Sequence, residues 1–180
     1  MRSLVVFESM YGNTHRIATA ITEGLATVCS AELLPVTEVD RTLLEQVDLV
    51  VVGGPTHAHS MTRSSTRRSA VDTARALGKS LKVEPTALDD GLREWFESVG
   101  PITARAAAFD TRFDGPSALT GRASRAISKR LKRHGAQLLV KPESFLVDRQ
   151  NQLLTGQEDR ARRWGEELAR MLNSDAAVSA

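Results

Sequence analysis

Leu49-Val50-Val51-Val52 is apolar at every position, preceded by Asp48 and stopped by Gly53-Gly54-Pro55. A run that short, without polar alternation, suits a strand buried on both faces, as strands inside parallel sheets are. Leu4-Val5-Val6-Phe7 has the same form. Parallel neighbours cannot be joined by hairpins, so each such strand demands a crossover, usually helical and right-handed.

The rest of the chain supplies those crossovers. Ile17, Ala18, Ile21 and Leu25 recur at helical spacing over about 14–27, with Asn13 or Thr14 available as cap. Glu32 to Val36 reads as a second strand, and 41–46 as a short helical turn before the Leu49 strand. Helical patterns follow at about 63–78 and 88–98, divided by Lys82-Val83-Glu84-Pro85, with Trp95 and Phe96 anchoring the second. Thr103 to Phe109 reads as a strand, and a Gly- and Pro-rich loop leads to an amphipathic helix over about 121–134, stopped by Gly135. Gln137 to Val140 and Ser144 to Val147 form one last strand, irregular at Pro142, before a helix over about 158–172. Five strands alternating with helices predict a three-layer α/β domain over 1–172: a doubly wound, five-stranded parallel sheet of order 2-1-3-4-5, with a flexible tail at 173–180. In that order a ligand crevice opens outside the carboxyl ends of strands 1 and 3.

Composition excludes several classes. Of 180 residues, 41% are hydrophobic and 26% charged, the profile of a globular protein and not of a disordered one. The single cysteine, Cys29, cannot form an internal disulfide and reads as a small, half-buried apolar residue. Glu8 interrupts the apolar start before an export signal could form, and no run is long enough to cross a bilayer, so the expected location is the cytoplasm. The formal net charge of +2 describes a mildly cationic surface.

Where the first strand meets its helix, the chain reads Val5-Val6-Phe7-Glu8-Ser9-Met10-Tyr11-Gly12-Asn13-Thr14, then Ala18 and Ile21. Ser9 and Thr14 offer hydroxyls, Gly12 allows close backbone approach, and a helix starting near Asn13 aims free amides at an anion. This loop suits a phosphate dianion with few cationic side chains, and its spacing differs from dinucleotide and nucleoside triphosphate fingerprints. The segment resembles the flavodoxin family signature in full: two aliphatics, an aromatic, a hydroxyl residue, a small residue, Thr14, Ala18 and an aliphatic. The resemblance implies a flavodoxin-like fold and FMN as cofactor, its phosphate held by Ser9, Met10, Tyr11, Gly12, Asn13 and Thr14.

The loop after strand 3, Pro55-Thr56-His57-Ala58-His59-Ser60-Met61, occupies the place where flavodoxin relatives wrap the flavin ring. It looks like the corresponding loop of flavodoxin-like NAD(P)H:quinone oxidoreductases. Thr56 is then expected on the ribityl-phosphate side, and the backbone of 57–61 on the polar edge of the ring. Many electron-carrier flavodoxins place a Trp where this chain has His57, which, if protonated, raises the flavin potential. Ala58 stands where carriers commonly have a flipping Gly, which predicts weak stabilisation of the one-electron-reduced flavin. His57 and His59 also invite a metal reading, but no third ligand is nearby in sequence. In the third loop, Asp110 and Thr111 are expected at the pyrimidine edge, and Phe113 either against the flavin or on the next helix. Arg112 is expected near reduced flavin or an anionic substrate, or paired with Asp110 or Asp114.

Basic residues gather at Arg63, Arg67, Arg68 and Arg75 and again from Arg122 to Arg133. Without aromatic platforms or a reading helix they do not indicate nucleic acid. They describe a solvated face, or one meeting an acidic protein or the phosphates of NADPH, whereas electron-carrier flavodoxins are typically acidic around the flavin. Two main functions remain open: a carrier docking to redox partner proteins, and an FMN enzyme passing hydride from NAD(P)H to a quinone or similar small-molecule acceptor. A third is a non-enzymatic interaction module using the same crevice. In the first two the chemistry belongs to the flavin, so no catalytic side chain is expected.

Overall fold

The computed structural model describes residues 1–57, 59–76 and 82–178. Strands β1 (Arg2–Phe7), β2 (Ser30–Pro35), β3 (Leu49–Pro55), β4 (Arg105–Phe113) and β5 (Gln137–Leu138) form a parallel sheet of order β2-β1-β3-β4-β5, as the apolar runs predict. A sixth strand, β6 (Glu143–Val147), also pairs parallel with β4, beyond the stretch that β5 covers. The last strand is therefore a single edge interrupted across 139–142, at the predicted irregularity around Pro142.

Alternation along β1 and β3 divides the core. Val5, Phe7, Leu49 and Val51 pack with Ile17, Ile21 and Leu25 of α1 (Asn13–Leu25) and Ala161, Trp164 and Leu168 of α7 (Gln157–Val178). Leu4, Val6, Val50 and Val52 pack on the other face with Leu92, Trp95 and Phe96 of α4 (Leu92–Ser98) and Ala123, Ile127 and Leu131 of α6 (Ala123–Arg133). Each of these fully buried aliphatics contributes about 1.5–3 kcal/mol relative to exposure, which is why the apolar pattern determines the sheet order. Trp95 adds a bond from Nε1 to the Val39 carbonyl at 2.8 Å. Cys29 is half-buried, its Sγ 3.3 Å from the Leu25 carbonyl.

Three boundaries differ from the sequence reading. β3 runs on through Gly53, Gly54 and Pro55, in register with Phe109, Asp110 and Thr111 of β4, so residues 110–113 are strand and not loop. The glycine at 53 permits this, because a Cβ there would lie 2.1 Å from the Phe109 ring. The Gly- and Pro-rich connection contains a helical turn, α5 (Ser117–Thr120). Finally, α7 runs to Val178, past the helix end expected near 172. The remaining helices are α2 (Arg41–Leu44), capped by Asp40 on the Leu43 N–H at 3.0 Å, and α3 (Ser64–Ala76). Among the described residues no helix is long and apolar enough to cross a membrane.

Candidate cofactor crevice

The loop after β1 turns through Gly12, whose φ of +87° is left-handed and favours glycine, and α1 starts there with no side-chain cap on its first amides. Ser9 Oγ accepts from the Gly12 N–H at 3.1 Å, leaving its own hydrogen to donate. Thr14 Oγ1 lies 2.7 Å from Thr111 Oγ1 on β4, joining the loop to the sheet. Met10 is buried, and the Tyr11 hydroxyl donates to the Ala70 carbonyl of α3 at 2.9 Å, with partial burial pushing its pKa up. A carboxylate stands nearby: Glu84 Oε1 is 3.4 Å from His15 Nδ1 and 3.4 Å from where a Gly12 Cβ would be.

Beyond β3, the His57 N–H donates to the Ser60 carbonyl at 2.8 Å and the Ser60 N–H returns to the His57 carbonyl at 3.0 Å, closing a tight turn. Ala58, expected at the polar edge of the ring, lies outside the described residues. His59 has φ +70° and abuts Gly121, where a Cβ would fall 2.1 Å from His59 Cα. His57 is partly buried; desolvation, then the Arg67 charge, hold its pKa below 6.5. Its imidazole is therefore neutral at pH 7, and the positive charge that would raise a flavin's potential is missing there.

Thr56 and Asp110 are engaged at the start of α6. Thr56 Oγ1 accepts from the Ala123 N–H at 2.9 Å and donates to Asp110 Oδ2 at 3.2 Å, which accepts from the Ser124 N–H at 2.8 Å. Asp110 is fully buried against that helix and borders no part of the crevice. Arg112 Nη1 donates to the carbonyls of Phe113 and Gly115 and to Thr120 Oγ1 at 2.8–3.0 Å, fastening the α5 turn in place of the expected Asp partners. Phe113 is 50% exposed and lines the crevice mouth.

These segments enclose a crevice of about 800 Å³ lined by Met10, Tyr11, Asn13, Thr14, Pro55, Thr56, His57, Thr111, Arg112 and Phe113. Ser9 and Gly12 lie in the same loop after β1 without bordering the cavity. His59 and Ser60 complete the turn behind His57, and Met61 is buried in the core. A further wall was absent from the sequence reading: Val147, Arg149, Gln150, Asn151 and Gln152. Asp148 Oδ1 accepts from the Gln150 and Gln152 N–H groups at 2.9 and 2.8 Å, and Asn13 Nδ2 donates to the Asn151 carbonyl at 2.8 Å, binding this turn to the phosphate loop. An Asp that opens a polar segment at the carboxyl end of a strand was the available signal. Asn151 Nδ2 is buried with no hydrogen-bond partner among the described residues.

Beneath the crevice, Glu8 is buried and accepts from Thr62 Oγ1 and, at 2.9 Å, from the Leu92 N–H, while the buried Arg67 lies 4.0 Å away. Desolvation outweighs these partners and pushes the Glu8 carboxyl above its usual range. Among the described residues no three His, Cys, Asp or Glu gather where they could hold a metal.

Residues 4–75 match the family model described as a flavodoxin domain. No curated protein matches the chain in sequence. Among solved structures the chain is similar to a flavodoxin from the domain Archaea, with TM-score 0.64 and 18% identity over 96% of this chain and 99% of that one. It is similar also to oxidised flavodoxin 1 from Bacillus cereus, with TM-score 0.64 and 17% identity over 94% and 98%. A flavodoxin, WrbA-like protein from Agrobacterium tumefaciens gives TM-score 0.57 and 18% identity over 96% and 98%. At these identities the structures speak for the fold alone. By its sheet order, and by the flavodoxin-domain match over 4–75, the chain has a flavodoxin-like fold.

Proposed function

We propose that this chain binds FMN in the crevice and carries electrons between redox partners. The observation that supports this best is one junction: a glycine-turned loop at an uncapped helix start, facing a crevice wall on which the buried Asn151 amide lacks a partner. A phosphate fits there. Ser9 Oγ, Thr14 Oγ1, the first amides of α1 and Asn151 Nδ2 are the donors for it, while Pro55, Thr56, His57 and Phe113 offer walls for a flat ring.

When bound, FMN supplies one- or two-electron chemistry at its ring. The protein's part is to hold the phosphate, keep a neutral imidazole beside the ring, and brace the walls through Asp110 and Arg112. Phe113 at the mouth, with the exposed Arg149 also lining the crevice, supports a second reading, in which a nicotinamide donor and a quinone reach the ring directly.

A flavin spectrum of the purified protein, identification of the heat-released cofactor and titration of apoprotein with FMN test the main reading. Saturable binding of FMN is expected; FAD alone, or no flavin affinity, overturns it. Steady-state NADPH oxidation with a quinone separates the two readings, because a carrier shows essentially no direct turnover. Protein that stays colourless with added FMN leaves the interaction module.

A further inference from the structure

Helices α3, α4 and α6 all start at the carboxyl edge of the sheet, beside the crevice. The Leu92 N–H meets Glu8 there, the Ala123 N–H meets Thr56, and Arg67 in the first turn of α3 reaches Thr62 Oγ1 at 3.2 Å. The positive end of a helix disfavours cations. Yet Arg63 immediately precedes α3, Arg93 is the second residue of α4, and Arg125 the third of α6. Neither α3 nor α6 has an acidic residue in its first turn. Helix stability does not account for these cations.

They also converge. Arg93 donates from Nε to the Thr62 carbonyl at 2.7 Å and from Nη2 to the Met61 carbonyl at 3.2 Å, which places it against the segment leading from the crevice turn to Arg63. Arg130 of α6 lies 6.0 Å over the Phe96 ring, one turn along α4 from Arg93. Burial first, then the charges of Arg63 and Arg130, push the Arg93 pKa below its usual value against the opposing pull of Glu94 and Glu8. From that cluster the exposed Arg125, Lys129, Lys132 and Arg133 continue along α6, whose sequence contains no acid. Eleven helical residues make a strip about 16 Å long. That extent matches a protein surface better than a single phosphate. Arg130, Lys132 and Arg133 complement the helix's negative end, so Arg125 and Lys129 are the discriminating positions.

We propose that the cationic face of α6, with Arg63 and Arg93, docks an acidic electron-transfer protein and brings its redox centre beside the turn that carries His57. The inference rests on the flavin reading of the crevice, but its binding test does not need the flavin. The full chain, with and without FMN, is titrated with an acidic [2Fe–2S] ferredoxin at about 20 mM ionic strength, where surface charges are weakly screened. R125E/K129E should weaken binding at least about tenfold, the difference closing at about 0.5 M salt. R163E/R170E changes net charge equally from α7, on the opposite layer, and should stay within about twofold of the unaltered protein.

Equal losses in the two variants overturn the proposal, as does no loss in R125E/K129E or equally tight binding of basic cytochrome c. Loss of NADPH affinity in R125E/K129E with ferredoxin binding intact would assign the face to a nucleotide and remove the docking partner. Ferredoxin binding that persists without FMN supports docking even where the flavin titration fails. Saturable FMN binding without ferredoxin binding sinks this inference alone.

Discussion

His57 lines the crevice as a neutral ring, because burial, then the neighbouring Arg67 charge, hold its pKa below 6.5. As pH falls through about 6.5 the unfolded chain takes up this proton before the folded chain does. The stability tied to His57 is thus complete above that pH and is lost on further acidification. Urea unfolding from pH 7.5 down to 5.5 should show a shallower loss in His57→Gln than in the unaltered protein; parallel curves would contradict the assignment. A second residue opposes the cofactor. Glu84 stands beside Gly12, paired among the described residues with His15, so a phosphate dianion bound at the loop would meet a carboxylate. Glu84→Gln should tighten FMN about two- to fivefold, given how weakly charges couple through solvent at such range. Fluorescence titration measures this, and weaker binding would mean that the carboxylate serves the loop.

Gly121 joins α5 and α6 to the crevice turn. Its φ of +77° is costly for any other residue, and an added Cβ would press on the His59 backbone at 2.1 Å. Gly121→Ala should cost about 1–3 kcal/mol in denaturant unfolding and displace the His57 turn, weakening FMN as well. No local pattern announced this contact. What the sequence made legible were β1 and β3, whose continuous apolar runs admit one environment, and the faces of α1 and α6, whose apolar spacing matches the buried residues. The end of β4 was illegible because Asp-Thr-Arg reads as loop until the partner of Asp110, the start of α6, is in place. The Arg149–Gln152 wall was missed for the same reason: it becomes part of the site only through Asn13, 138 residues earlier than Asn151. The turn at Gly12 and the start of α1 at Asn13 need no such distant partner, and both were legible from the spacing of the loop.

Across the whole molecule, the phosphate-loop helix is positioned from behind. A Cβ on Gly24 would stand 2.0 Å from the Arg162 carbonyl, and one on Gly165 2.3 Å from the Ile21 carbonyl, so α1 and α7 meet backbone to backbone. Arg16 and Glu158 pair at 2.8 Å, and Arg162 and Glu23 at 2.7 Å, along the same seam. Gly24→Ala cannot be relieved by a side-chain swing; it should cost about 2–3 kcal/mol on unfolding and loosen FMN, both measurable on the same samples. An unchanged melting profile would show that the seam opens freely. The seam also bears on the order of events during synthesis. Chains emerge from the ribosome amino end first, so α1 is made well before the helix that fixes its tilt, which emerges only after every strand of the sheet. The nascent chain therefore carries the Ser9–Thr14 loop on a helix with nothing rigid to lean on, and on the proposed reading the loop becomes competent to hold FMN only after α7 has been released.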